Sequence, residues 1–332
     1  LAGAEKSFGD GLAIAARLAG SDPDNAQWQR DLSVFHDRVG DVLLAQADPS
    51  GAAKSFRDGL VIAERLASSD PGNALWQRDL SVFYDRVAEA LLAQGDLTGA
   101  LKSLRDGLAI AECLASSDPG NAQWQRDLSV SRDKIGDALV VQGDFSEALK
   151  SFRDGLAIAE RLAGSDTGNA QWQRDLSVSC NRIGDVLVAK GNLPEALLSF
   201  RRGLAIRERV ANADPGNPSR QVDLAVSHDR VGDALLATGD LPGALRSFRD
   251  ALAIRERLTE SEPGNAGWQR DLATSFSKLG TVLKTAGEVA QAAEALRRGQ
   301  AIAVRMADSS PDDALGEQSL AWFDEQIDDL ER

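Results

Sequence analysis

One interval governs this sequence. Trp28, Trp76, Trp124 and Trp172 stand 48 residues apart, Arg220 takes the next position, and Trp268 resumes the series. Gly40, Gly136, Gly184, Gly232 and Gly280 keep the same step, with Ala88 as the one substitute. A fixed period of this length is the mark of stacked supersecondary units, each too small to bury its apolar face alone. The length of 332 residues would by itself suggest two average globular domains. The period overrides that expectation and predicts one elongated array.

Each unit reads as two helices. The first starts near an Asp-Pro-Gly-Asn segment such as Asp118-Pro119-Gly120-Asn121. Two starts are open: Asp118 as cap with Pro119 in the first turn, or Asn121 as cap with Ala122 next. Trp124, Leu128, Ile135, Ala138 and Leu139 then follow three-and-four spacing, which sets them on one helical face. Gly143-Asp144 ends the helix, since glycine adopts the left-handed C-terminal cap at least cost. The second helix carries Ala148, Leu149, Phe152, Gly155, Leu156, Ala159 and Leu162 at the same helical spacing.

Gly136, Leu139, Gly143, Ala148, Phe152 and Gly155 resemble the small, large, turn-glycine, alanine, aromatic and small positions of a tetratricopeptide repeat. The run Ala251-Leu252-Ala253-Ile254-Arg255-Glu256-Arg257, followed by Glu262-Pro263-Gly264-Asn265-Ala266, is similar to the longer repeats of kinesin light chains and related bacterial proteins. The resemblance implies an all-α, right-handed superhelical solenoid of antiparallel helix pairs, and a role as a protein-interaction scaffold or sensor arm. Two departures stand out. The period of 48 exceeds the family's own, and the bulky aromatic of its first helix is replaced by His36, Tyr84, Arg132, Cys180, His228 and Phe276.

Taken in order, residues 1–20 align with a second helix, so the sequence opens halfway through a repeat. The simplest reading is a fragment of a longer bacterial protein. Six helix pairs follow over 25–68, 73–116, 121–164, 169–212, 217–260 and 265–308, with Pro49, Pro194 and Pro242 in first turns, where proline is tolerated. Unit five is the least regular, because Arg220 replaces tryptophan and Pro218 enters its turn. Residues 312–332 align with a first helix but carry Asp328 in the glycine position, as a polar capping helix would.

Net charge is -14, which disfavours nucleic acid and anionic membrane as partners, because phosphate binding needs clustered Lys and Arg. No apolar run approaches the length of a membrane span. Cys113 and Cys180 form no spaced framework, which favours a reducing, cytoplasmic setting. No metal-ligand spacing or phosphate loop is present, so no cofactor is expected. His36 and His228 lie in separate repeats. The pairing of Cys180 with His228, one repeat apart, offers neither a base within reach nor an orienting group, so an enzyme is not expected. The periodic tryptophans read as packing rather than as a stacking ladder for ligands.

Polar rows recur on the first helices: Asp37, Asp85, Asp133 and Asp229; Arg38, Arg86, Lys134, Arg182 and Arg230; Asp41, Glu89, Asp137, Asp185 and Asp233. Asn181 replaces one member, and Val34, Val82, Val130, Val178 and Val226 run alongside. The resemblance places these helix faces on the concave groove, where the rows would receive a protein partner, a basic or amphipathic helical segment. The competing reading is a ladder of ion pairs between repeats. The family's clamp for a C-terminal carboxylate is absent, because Asp37, Asp41 and Val130 occupy its positions. A second functional class is a self-associating array joined through the N-terminal helix, whose stripe of Ala4, Phe8, Leu12 and Leu18 lacks a partner helix.

Overall fold

The computed structural model describes residues 2–309 and 314–331, without the side chains of Ala2, Ala4, Ser309, Ala314, Leu315 and Glu331. The side chain of Ala4 in the N-terminal stripe and the expected start of the last helix at Asp312 therefore lie outside what the structure describes. Fourteen helices are present among the described residues and no strand. They are α1 (Ala2–Ser21), α2 (Ala26–Ala45), α3 (Pro49–Ser69), α4 (Ala74–Ala93), α5 (Leu97–Ser117), α6 (Ala122–Gln142) and α7 (Phe145–Ser165). The remainder are α8 (Ala170–Ala189), α9 (Leu193–Ala213), α10 (Pro218–Ala237), α11 (Leu241–Ser261), α12 (Ala266–Thr285), α13 (Val289–Ser309) and α14 (Ala314–Glu331). The chain divides into two compact units, Leu1–Ser165 with α1–α7 and Asp166–Arg332 with α8–α14. Each is an all-α, TPR-like solenoid in which consecutive helices pack on one another.

The choice of cap is settled by geometry. Asn25, Asn73, Asn121, Asn169, Asn217 and Asn265 all sit in extended conformation and accept a bond from the backbone N–H three residues on. The asparagine therefore holds a donor that the first turn would otherwise leave without a partner. At the other end, Gly95, Gly143, Gly191, Gly239 and Gly287 turn left-handed with φ between 74° and 84°. Ala47 takes the same role at φ 59° despite its side chain.

The glycine row explains how each pair closes. A β-carbon at Gly40, Gly136, Gly184 or Gly232 would lie 2.3–2.7 Å from Phe56, Phe152, Phe200 or Phe248 of the following helix. The aromatic ring thus occupies the space that a side chain would fill. In the second pair Ala88 stands at the register position opposite Leu104, so a smaller side chain accompanies the filled slot, and in the sixth Gly280 is kept and faces Leu296. At the end of the second unit, Phe323 and Ile327 of α14 are buried in the cluster built on Phe276 and Leu296. Trp322 packs edge-on against Phe323 with ring centroids 5.1 Å apart. The five periodic tryptophans are half-buried; Trp76 rests on Ala63, Ala67, Leu80 and Phe83.

Candidate interaction face

The exposed side of the first helices carries three parallel rows. The middle row is apolar: Val34, Val82 and Val226 remain 40%, 40% and 39% exposed, while Val130 and Val178 are half-buried. On one side runs a ladder of arginine–aspartate pairs joining α2 to α4 and α4 to α6 in the first unit and α8 to α10 in the second. Arg30 Nε lies 2.5 Å from Asp79, Arg78 Nε 2.5 Å from Asp127, and Arg174 Nε 3.1 Å from Asp223.

On the other side lie the residues singled out in the sequence. In the first unit Arg86 reaches back to Asp37 at 2.9 Å and Asp41 at 3.3 Å, and also touches Glu89 at 3.2 Å. Arg38 lies 3.5 Å from Asp41 and 3.9 Å from Asp37 within its own helix. Lys134 Nζ meets Asp85 at 2.9 Å. Asp133 is buried behind Gly155, and Asp137 is half-buried one turn further along α6. In the second unit Arg230 pairs with Asp185, and Lys278 meets Asp233 at 2.6 Å. Asp229 instead turns inward to Arg255 at 2.7 Å, and Arg182 is half-buried on α8.

The first aspartate row therefore points largely inward, while the second stays closer to solvent. Burial raises the Asp37 and Asp85 carboxyls above their ordinary value, opposed by Arg86 and Lys134 respectively. A further layer lies beneath the cations: Arg86 sits 6.0 Å over the ring of Phe56, Arg230 6.0 Å over Phe200, and Lys278 5.4 Å over Phe248. Such stacking keeps the cation at the helix boundary. A cavity of about 260 Å³ gathers Asp185, Arg230 and Asp233 beside Val188 and Phe200.

Three segments of the chain, residues 129–167, 177–218 and 225–262, match a family model for the tetratricopeptide repeat. These three segments read as tetratricopeptide repeats. BtubC (BKLC) from P. vanneervenii shares the fold at a TM-score of 0.61 and 19% identity, over 77% of this chain and 91% of that one. The apo form of RapI gives a TM-score of 0.62 at 10% identity, over 92% and 76% of the two chains. A signal-transduction ATPase with a tetratricopeptide-repeat sensor from Pyrococcus horikoshii gives 0.51 at 14% identity, over 95% of this chain and 44% of that one. No match was found among curated protein sequences. The kinesin-light-chain likeness extends to a solved putative kinesin light chain from Podosopora anserina, with a TM-score of 0.52 at 14% identity over 68% of this chain and 95% of that one. Tetratricopeptide repeats generally serve as non-enzymatic scaffolds.

The matched segments skip residues 168–176 and 219–224, the opening turns of α8 and α10. Those turns are where the repeat exceeds the family's length, and they hold residues that sequence reasoning passed over. The Gln-Arg-Asp triplet after each tryptophan supplies the Arg30–Asp79 type of ladder and a second device. Gln29, Gln77 and Gln125 donate to the carbonyls of Ala19, Ala67 and Ala115 at 2.9–3.1 Å, satisfying the last turn of the preceding second helix. Arg161 then donates to Gln125 at 2.8 Å, Arg209 to Gln173 at 3.4 Å, and Arg65 to Gln29. The strict recurrence of the triplet was the available signal.

The variable slot of the first helix faces acids on neighbouring second helices. Tyr84 donates to Glu64 at 3.1 Å, and burial with that carboxylate pushes its phenol up to about 12. Arg132 bridges Glu112 at 2.8 Å and Asp154 at 3.0 Å. His228 lies 3.9 Å from Asp250, and Cys180 is buried. Among the described residues, no group of His, Cys, Asp and Glu could hold a metal, and no helix is long and apolar enough to cross a membrane.

Proposed function

We propose that this chain is a non-enzymatic interaction arm that holds a segment of another protein along the first-helix face of its repeats. The supporting observation is the valine row. Val34, Val82 and Val226 hold the same slot in three repeats and stay about two-fifths exposed between two ion-pair ladders. An exposed apolar position of this kind offers a partner its anchor. The segment that fits is an amphipathic helix: its apolar side meets the valines, and its basic residues meet the outer row of the unit it lies on, Asp41, Glu89 and Asp137 in the first or Asp185 and Asp233 in the second. Asp41, Asp185 and Asp233 already face a cation of the next repeat and Glu89 faces Arg86 of its own helix, so the apolar strip sets the lifetime of the complex and charge chiefly its orientation.

Selection of helical peptides from a displayed library against the purified chain tests this reading. Val34→Asn with Val82→Asn should weaken the selected peptides by about tenfold or more, as loss of central anchors does. Val61→Asn, at a more exposed valine on α3, should change nothing. Equal binding by all three proteins would overturn the proposal.

A second reading is self-association through α1, whose Ile14 and Leu18 are exposed while Phe8 and Leu12 are half-buried. Sedimentation velocity separates the two. Assembly through α1 predicts a size that grows with concentration and is lost in Ile14→Asp.

A further inference from the structure

Unit five departs from the regular repeat at one connected set of hydrogen bonds. In the regular turns the backbone N–H of Asp22, Asp70, Asp118 or Glu262 donates to the carbonyl four residues back, at Leu18, Leu66, Leu114 or Leu258. The glutamine of the next first helix takes the carbonyl one residue later, as Gln77 does at Ala67 and Gln125 at Ala115. Between α9 and α10 the two acceptors exchange donors. Arg220, standing where tryptophan does elsewhere, donates through its guanidinium to Val210 O at 3.4 Å and pairs with Asp214 at 3.4 Å. The Asp214 N–H shifts to Ala211 O at 3.3 Å, the carbonyl that corresponds to those held by Gln29, Gln77 and Gln125 in the first three repeats.

The exchange leaves Gln221 without its acceptor. Its arginine partner is released with it: the position held by Arg161 opposite Gln125 is Arg257 here, yet no side-chain hydrogen bond or ion pair joins Gln221 or Arg257 to any described residue. Both side chains line a cavity of about 590 Å³ between the start of α10 and the end of α11. Its apolar wall is Leu224, Ile254 and Leu258, all buried members of one core cluster, and Pro218 closes one side. A cavity of this size falls within the range of small-molecule sites, about 300–1,000 Å³, which combine an apolar lining with a few polar groups that fix orientation.

We propose that this cavity binds a small organic acid: a carboxylate on an apolar body. The Arg257 guanidinium takes the carboxylate, the Gln221 amide donates to its second oxygen, and the apolar body lies on Leu224, Ile254 and Leu258. A charge-assisted arginine–carboxylate contact supplies the selectivity for the ionised ligand. Occupation of the site restores partners to the two side chains that the Arg220 substitution sets free.

Phenylacetate, with phenylacetamide as its neutral counterpart, is the probe. Titration calorimetry on the whole chain should show one saturable site for phenylacetate and binding weaker by about tenfold or more for the amide. Arg257→Gln should lose the same factor while the melting temperature holds. Arg220→Trp, which returns the regular residue of the other repeats, should send Gln221 back to Ala211 O and abolish binding in a well-folded protein. Absence of saturable phenylacetate binding overturns the proposal, as does equal binding of acid and amide. Binding that survives Arg220→Trp or Arg257→Gln overturns it as well.

Discussion

A β-carbon added at Gly184 would lie 2.4 Å from Cε1 of Phe200, the ring over which Arg230 stacks at 6.0 Å while pairing with Asp185. One glycine thus admits the aromatic that closes its own helix pair and supports the cation that ties the next first helix to this one. Gly184→Leu should cost about 1–3 kcal/mol through overpacking, despite leucine's better helix propensity. Gly184→Ala with Phe200→Leu recreates the Ala88 and Leu104 combination found in the second pair. The double variant should be more stable than the sum of its single changes implies, a coupling that a thermal-denaturation cycle measures.

Ala47 offers the opposite experiment. Its φ of 59° is left-handed, where the equivalent turns use glycine. A side chain in that region costs about 1–2 kcal/mol. Ala47→Gly should raise stability by about 1 kcal/mol, and Gly95→Ala should lower it by a similar amount, both read as shifts in denaturant midpoint.

Much of this architecture was legible in the sequence because a period is a global signal. A single turn of Asp-Pro-Gly-Asn left two caps open, yet the 48-residue step pointed to an all-α array of fourteen helices. The interaction face was legible only as rows of charge. Sequence placed Asp85 and Asp185 in related rows, but could not show that one is buried against Lys134 while the other stays exposed beside Arg230. Direction along the helix decides that, and a shift of a few residues moves a side chain from seam to surface. The Arg30–Asp79 ladder was missed for a different reason. Its partners are 49 residues apart, so the pair is visible only once the stacking of successive units is known.

Burial separates two kinds of carboxylate that look alike in the sequence. Arg255 and Asp229 are 6% and 8% exposed, and Arg255 also donates to Ser275 at 2.5 Å. Asp229→Ala should cost about 3–5 kcal/mol, because it strands a buried guanidinium. Asp185→Asn, at an exposed pair, should cost at most about 1 kcal/mol. Chemical denaturation of the two variants side by side checks the contrast; equal costs would contradict it.

Acid should weaken the fold through its histidines. Burial lowers the pKa of both His36 and His228, although Asp58 and Asp250 pull the other way. The unfolded chain then binds protons first, near the ordinary value of 6.5, so stability falls as pH drops through that value towards the folded pKa. Asp37 and Asp85 have the opposite sign: raised by burial, they favour the folded state as pH falls towards the ordinary carboxylate value of 3.8. The two effects oppose each other, and removing the histidines isolates theirs in the range around their ordinary value of 6.5. His36→Phe with His228→Phe, using the residue already present at Phe276, should flatten the melting temperature across that range.

The glutamine of the repeat extension gives a test internal to one protein. Gln125 is buried, donates to Ala115 O at 2.9 Å and accepts from Arg161 at 2.8 Å. Gln125→Ala strands a helix-end carbonyl and an arginine together, at a cost of about 1–3 kcal/mol. Gln221 occupies the same position in unit five, but the Asp214 N–H has taken its acceptor and Arg220 covers Val210 O. Gln221→Ala should therefore stay within about 0.5 kcal/mol of the parent chain. In an Arg220→Trp background the latch should close, and Gln221→Ala should become as costly as Gln125→Ala. Equal costs at both glutamines in the parent chain would mean that the donors have not exchanged in unit five.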